Sequence, residues 1–337
     1  MSRNVAPNDL STATPRRQFL RRVALAPAWA PILARGADRL KGSGKVRFGL
    51  IADIHPDMLP DGLDRVRAFV SAMEKERVDF IVQLGDFCWP APRNRPYLEA
   101  WQAYRGRSFH VLGNHDMDEG YTREQTVAYC GMPGMHYAFD AGPARGLVLD
   151  ANEPGGKASG YKRFVGAAQL AWLERELATT DRPVLVFVHQ PFDDDQPDYV
   201  ENAPAVRAVV ERAEKNRPGT IVAVFSGHLH LDYARIVNGV RYVEINSSAY
   251  WWLNNPAARR ETYPHEVHEK FRYLTHVAAY RGPLWSIVNL DFDRGDLVIE
   301  GTRSEWVGPD PWARGETTDR PREHLHPWIS DRRFLLT

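Results

Sequence analysis

Cysteine is almost missing: Cys88 and Cys130 are the only two in 337 residues, so neither a disulfide scaffold nor a Cys-based zinc site is available. The two could pair after export or remain separately buried thiols. Net charge is missing as well, because 43 basic residues balance 43 acidic ones; without a basic excess, neither nucleic acid nor an anionic membrane is an expected partner. No apolar run approaches the roughly 20 residues that span a bilayer, so no permanent membrane anchor is expected. There is no internal repeat and no low-complexity tract. What remains is a composition of 43% hydrophobic and 26% charged residues, that of a soluble globular chain. Its length suits one large domain with extensions. Histidine is plentiful, at 12 residues, and its clustering matters more than its number.

The N-terminus reads as an address. Residues 15–21 are Pro-Arg-Arg-Gln-Phe-Leu-Arg, followed by a weakly apolar stretch at 23–34 broken by Pro27 and Pro31. This resembles a twin-arginine export signal, with Arg16-Arg17, Phe19 and Leu20 in the expected places and Arg21 where lysine is more usual. The resemblance implies the twin-arginine export machinery as a partner, a periplasmic or other extracytoplasmic destination, and cleavage near residues 34–37. A disordered basic leader is the alternative. The expected organisation is a leader at 1–37, a main domain at 45–303 and a tail at 304–337, rich in Pro, Arg and Trp, with no assigned role.

Between residues 46 and 230, short apolar runs alternate with segments of helical period, the pattern of an α/β protein. Run 46–52 leads into Asp53-Ile54-His55, and run 80–84 into Gly85-Asp86. Run 109–112 ends in Gly113-Asn114-His115-Asp116, run 184–188 in His189, and run 221–225 in Ser226-Gly227-His228-Leu229-His230. Each run stops at a residue able to bind a metal. Ligands in such sheets gather beyond the carboxyl ends of the strands, so five strand ends would deliver carboxylates, an amide and imidazoles to one pocket. Covering helices are expected at 63–75, 99–104, 167–177 and 205–213. Asn238-Gly239 and the 293–296 segment mark hairpins.

Taken singly, Asp-x-His or Gly-Asp is a weak signal; all five segments in this order are not. Together they resemble the calcineurin-like metallophosphoesterase superfamily. Tyr137-Ala138-Phe139-Asp140, Leu147-Val148-Leu149-Asp150, Gln169-Leu170-Ala171-Trp172-Leu173 and His189-Gln190-Pro191 are similar to that family's segments too. The resemblance spans roughly residues 46–250, with weaker support to about 303. It implies a four-layer αββα sandwich of two mixed sheets flanked by helices. It further implies one ion on Asp53, His55, Asp86 and His230 and a second on Asp86, Asn114, His189 and His228, with Asp86 bridging. Carboxylate, amide and imidazole together suit iron, manganese or zinc. Ions so paired activate water as a hydroxide nucleophile and clamp the attacking and leaving oxygens. His115 falls outside both ligand sets and is expected to donate a proton to the leaving group, with Asp116 orienting it.

Trp89 stands three residues after Asp86, where purple acid phosphatases carry a tyrosine ligand, and His55 is present where they lack a histidine. A tyrosinate-bound iron is therefore not expected, and Trp89 either walls the pocket or packs. Tyr250, Trp251 and Trp252 either shape the pocket or pack beneath it, and His265, His268 and His276 are read as surface residues. The expected activity is hydrolysis of a small-molecule phosphoester, a diester ahead of a monoester. A non-catalytic module of the same fold is the rival from another class, and the neutral charge argues against a nuclease.

Overall fold

Several stretches of the chain are too uniformly apolar to leave either face in water, and each becomes a strand covered on both sides. The computed structural model describes residues 42–336; the leader expected at 1–37 lies outside them. The order is β1 (Lys45–Ile51), α1 (Gly62–Glu76), β2 (Phe80–Gln83), α2 (Arg95–Gln102), β3 (Arg107–His110), α3 (Arg123–Cys130), β4 (Tyr137–Ala141) and β5 (Ala144–Val148). Next come α4 (Ala167–Thr179), β6 (Val184–Phe187), α5 (Ala203–Asn216), β7 (Ile221–Ser226), β8 (Tyr233–Val237), β9 (Val240–Glu244) and β10 (Tyr250–Trp252). The chain closes with α6 (His265–Lys270), β11 (Val277–Ala279), β12 (Ser286–Asp291), β13 (Asp296–Gly301) and β14 (Arg332–Leu335).

One sheet has the order β14-β13-β12-β1-β2-β3 and the other β4-β5-β6-β7-β9-β8. In the first, β1, β2 and β3 are parallel; in the second, β5, β6, β7 and β9 are. The remaining pairings are antiparallel, so both sheets are mixed. Alternation along β6 reveals the layering: Leu185 and Phe187 enter the core between the sheets, while Val184 and Val186 face the other way, with Leu173 and Leu177 of α4 and Val206 and Val210 of α5. In the first sheet Phe48, Leu50, Phe80 and Val82 point inward, and Ile51 and Ile81 lie under α1 and α2. This is the four-layer sandwich expected from the sequence. Its central core is aromatic: Phe48 stacks on Phe80 at 4.8 Å and meets Phe187 and Phe225 edge-on at 6.0 and 5.9 Å. Burying each such ring stabilises the fold by about 1.5–3 kcal/mol.

Helix α1 buries Val66, Phe69, Val70 and Met73 at spacings of three and four, the period that puts one stripe against a sheet. It packs closely because β1 carries Gly49 there; a Cβ on Gly49 would fall 2.2 Å from Met73 Sδ. The helix expected at 99–104 begins a turn earlier, at Arg95, with Pro96 in its first turn, where the missing N–H costs nothing. Asn238 and Gly239 adopt φ of 49° and 86° between β8 and β9, as a tight hairpin requires.

Past residue 303 the chain stays on the domain: β14 pairs with β13, and buried Arg314 donates to the carbonyls of Ala258 and Val277 at 3.0 and 3.1 Å. Cys88 and Cys130 are buried and free. Of the three histidines read as surface residues, His265 is exposed. His268 corrects that reading, being buried with Nε2 accepting from the Thr262 and Tyr263 N–H groups at 3.2 Å. No described helix is long and apolar enough to cross a membrane.

Candidate metal centre

Five parallel strands end on the same side of the molecule, and their turns bring the candidate ligands together. β1 supplies Asp53 and His55, β2 Asp86, the segment after β3 Asn114 and His115, β6 His189, and β7 His228 and His230. Asp53, His55, Asp86, His228 and His230 all have positive φ, between 47° and 80°. Non-glycine residues in that region are strained by about 1–3 kcal/mol each and persist only where the surroundings over-determine them. Backbone ties do so here: the N–H groups of Ile54 and His55 both donate to the Asp86 carbonyl, at 3.0 and 3.1 Å. The His115 N–H donates to Asp86 Oδ1 at 2.8 Å, and the His228 N–H to Asp53 Oδ2 at 3.1 Å.

Three sub-clusters of donor atoms result: Asp53, His55 and His230; Asp86, His189 and His228; and His55, Asp86 and His115. Asp86 Oδ2 stands 3.5 Å from His55 Nε2 and 3.1 Å from His189 Nε2, and Asp53 Oδ1 stands 3.3 Å from His230 Nε2. Ligand atoms sharing an ion at about 2.0–2.2 Å lie roughly 3.0–3.5 Å apart, so these separations fit common ions. The other ring nitrogens are aimed from behind. His189 Nδ1 donates to the Leu84 carbonyl at 2.7 Å and His230 Nδ1 to that of Tyr250 at 2.8 Å, the arrangement that fixes tautomer and direction in metal sites. His55 Nε2 is buried with no hydrogen-bond partner, a penalty that a metal would remove. Two glycines make room: a Cβ at Gly85 would meet His189 Nδ1 at 2.3 Å, and one at Gly113 would meet Asp86 N at 2.0 Å.

The electrostatics agree. Burial works against an imidazolium at His189, yet Asp86 and then Asp53 hold its pKa up at about 10; the negative charge concentrated there is what a pair of cations would neutralise. Burial pushes His55 and His228 well down. Asn114 is buried beside this cluster, with Gln190 Nε2 3.5 Å from its Oδ1. Gln190 in turn donates to Asn152 Oδ1 at 2.7 Å.

His115 sits over the centre, its ring 4.8 Å from that of His55. The carboxylate on it is Asp118 and not Asp116: Nδ1 lies 2.8 Å from Asp118 Oδ2. Asp116 is buried and turned inward, where its Oδ2 accepts from the Gly113 N–H at 2.8 Å as the cap of the 3₁₀ turn Asn114–Gly120. On such a turn residue i+3 lies over residue i, whereas the adjacent residue points elsewhere. Burial opposes protonation of His115, but Asp86 and Asp118 raise its pKa to about 9. Tyr161, from the segment between β5 and α4, donates to Asp118 Oδ1 at 2.7 Å and lies ring against ring with His115 at 4.5 Å. The i+3 spacing could have pointed to Asp118 in the sequence; nothing local marks Tyr161.

Two cavities open at the centre. One, of about 380 Å³, runs from His55 and His115 past Trp89 and Trp252 to Arg272, Tyr273 and His276. The other, of about 410 Å³, is lined by Asn114, Arg123, Asn152 and Lys162, and Tyr161 borders both. The aromatic trio thus divides its labour: Trp252 faces the first cavity, Trp251 packs with Leu229 and Leu231, and Tyr250 is buried beneath His230 at 4.9 Å. His276, expected at the surface, belongs to the mouth.

No curated protein matches the sequence, but solved structures do. A dimetal phosphatase from Danio rerio is 17% identical with a TM-score of 0.56, over 80% of this chain and 99% of its own. PhoD is 14% identical with a TM-score of 0.52, over 81% of this chain and 69% of its own. At such identities the likeness carries the fold. The family model for calcineurin-like phosphoesterases matches residues 46–232, more than half the chain. With the donor clusters at its strand ends, this chain belongs to the calcineurin-like phosphoesterases, metal-dependent hydrolases of phosphoric esters built around two ions.

Proposed function

We propose that the enzyme cleaves phosphodiesters, with Asp53, His55, Asp86 and His230 holding one ion and Asp86, Asn114, His189 and His228 the other. The observation carrying the diester reading is the pair of cavities, about 380 and 410 Å³, on either side of Tyr161. A diester has two substituents to place, and a monoester only one. The donor set suits iron, manganese or zinc. Bound there, the ions would supply Lewis acidity to the attacking water and to the phosphate oxygens. The chain does the rest. The first cavity receives the leaving group and brings its oxygen beside His115. As water forms the new P–O bond, the bond to the leaving group breaks with its electron pair. His115, tied at Nδ1 by Asp118, gives the Nε2 proton to the departing oxygen; the attacking water loses a proton to solvent, and solvent restores the one His115 gave. The second cavity holds the substituent that stays on phosphorus.

Turnover of bis(4-nitrophenyl) phosphate against 4-nitrophenyl phosphate, with manganese, iron or zinc restored and Asp86→Asn as the blank, tests this. Faster turnover of the monoester would overturn the ranking. We further propose that residues 1–37 direct export through the twin-arginine pathway and that hydrolysis takes place outside the cytoplasm. The support is the Arg16-Arg17 segment. If replacing both arginines by lysine left the protein's distribution between cell fractions unchanged, the export reading would be dropped.

A further inference from the structure

We propose that Asp118 and Tyr161 are positioning residues for proton donation by His115, a two-part brace assembled from segments far apart in the chain. The inference rests on the reading of His115 as the proton donor and assigns what aims it. Both oxygens of Asp118 are committed: Oδ2 to His115 Nδ1 at 2.8 Å and Oδ1 to the Tyr161 hydroxyl at 2.7 Å. With Nδ1 tied, Nε2 is the nitrogen left to face the leaving-group oxygen, the logic by which a third group orients an acid–base histidine.

The backbone is shaped for this. Within the turn Asn114–Gly120, Asp118 departs from helical geometry at φ −59° and ψ 161°, and Glu119 follows at φ 61°. That break ends the helical turn just where the Asp118 carboxylate comes back to His115. It is held from outside, because Glu119 is ion-paired to Arg93, whose guanidinium lies 5.3 Å over the Trp89 ring. Tyr161 arrives from the other sheet's connection to α4, its ring 4.5 Å from that of His115 and its hydroxyl 3.1 Å from Nδ1. His115 and Asp118 keep a quarter of their side-chain surfaces exposed. An ion pair that wet adds little to stability on its own, so the further hydrogen bond from Tyr161 to the same carboxylate is accounted for by aim rather than by fold stability. Because Tyr161 borders both cavities, the same residue separates the two substituents of a diester and steadies the proton donor between them.

The experiment uses the metal-loaded enzyme and methyl aryl phosphodiesters whose leaving groups run from 2,4-dinitrophenol to phenol. A dinitrophenolate leaves without help and a phenolate does not, so loss of an aimed donor steepens the dependence of kcat on the leaving group. His115→Asn sets the scale. Asp118→Asn keeps the shape of the side chain but cannot hold Nδ1–H as a charged acceptor. It should lower kcat about 100-fold on the phenyl ester and only severalfold on the dinitrophenyl ester, with two ions per chain retained. Tyr161→Phe, which keeps the ring, should fall between parent and Asp118→Asn. In zinc-loaded protein, the nitrogen-15 spectrum of His115 should report hydrogen on Nε2 together with an Nδ1–H held by Asp118 in the parent, and a shifted, less strongly hydrogen-bonded Nδ1–H in Asp118→Asn, a readout independent of turnover. A flat leaving-group dependence in Asp118→Asn beside a steep one in His115→Asn would overturn the brace. A flat dependence in His115→Asn itself would overturn the donor reading and the brace with it.

Discussion

The tightest point in the centre is Gly113, and it yields a prediction in which space can be separated from strain. Its backbone is extended, at φ −92° and ψ 166°, a conformation alanine adopts freely. The obstacle is elsewhere: a Cβ would stand 2.0 Å from Asp86 N and 2.2 Å from Asp86 Oδ1. Ordinary contact distances are about 3.5 Å, so Asp86 would have to retreat by more than about 1 Å, half of a metal–ligand bond. Such a shift draws Asp86 Oδ2 away from His55 and His189 together. Gly113→Ala should therefore weaken retention of both ions, by at least the roughly 10–100-fold typical of lost supporting contacts, and destabilise the fold by about 1–3 kcal/mol through overpacking. Gly131→Ala is the control: φ is +67° with nothing within 4 Å of the new Cβ, so it should lose about 1 kcal/mol from strain and keep its metal. Elemental analysis after dialysis, with diester turnover and urea unfolding, reads all three quantities. Gly113→Ala holding two ions per chain with parental turnover would refute the claim that this glycine makes room for the bridging carboxylate.

Three further outcomes are expected. Asp86→Asn should leave fewer than two ions per chain and reduce diester turnover at least about 10³-fold, roughly 4 kcal/mol of barrier; unchanged metal content would contradict the bridging assignment. Trp251→Ala should destabilise by about 3–5 kcal/mol because that ring packs with Leu229 and Leu231. Trp252→Ala, at the cavity wall, should instead raise KM with little change in unfolding, and the reverse pattern would mean the two were misassigned. His110 sets an acid limit: buried, it accepts at Nδ1 from Gln83 Nε2 at 3.1 Å, and burial pushes its pKa down to about 3. The unfolded histidine takes a proton below about 6.5 while the folded one stays neutral. The stability it contributes is therefore present above 6.5 and lost as pH falls towards 3. The loss amounts to about 2 kcal/mol at pH 5, and His110→Gln should flatten that part of the urea-unfolding slope; equal slopes in parent and variant would remove His110 as the cause.

The clustering of the candidate ligands was legible because each is fixed by a local event, an apolar run ending at a polar residue, and because parallel strands place such ends on one side. The same rule carried the two sheets and most covering helices. What failed was decided by the helical turn after Asn114 or by contacts across the chain, whereas the Asn238-Gly239 hairpin signal held. Asp116 is the residue next to His115, and adjacency suggested it; a 3₁₀ turn gave the contact to Asp118 instead. His268 lies in a polar helix, yet the loop at 262–263 folds over it and donates to its ring. Tyr161 meets His115 only because the β5–α4 segment returns across the strand ends. The aperiodic tail beyond 303 gave no local signal, since its one strand exists only as an edge laid against β13.

No backbone ladder joins the two sheets among the described residues. As assigned, each ion would take donors from both: Asp53 and His55 from one and His230 from the other, then Asp86 and Asn114 from one and His189 and His228 from the other. The metals would then be cross-links, bolting the halves of the sandwich along a single rim. Chelation should accordingly speed amide exchange first in the turns that follow β1, β2, β6 and β7, while the strands around the phenylalanine stack of the central core stay protected.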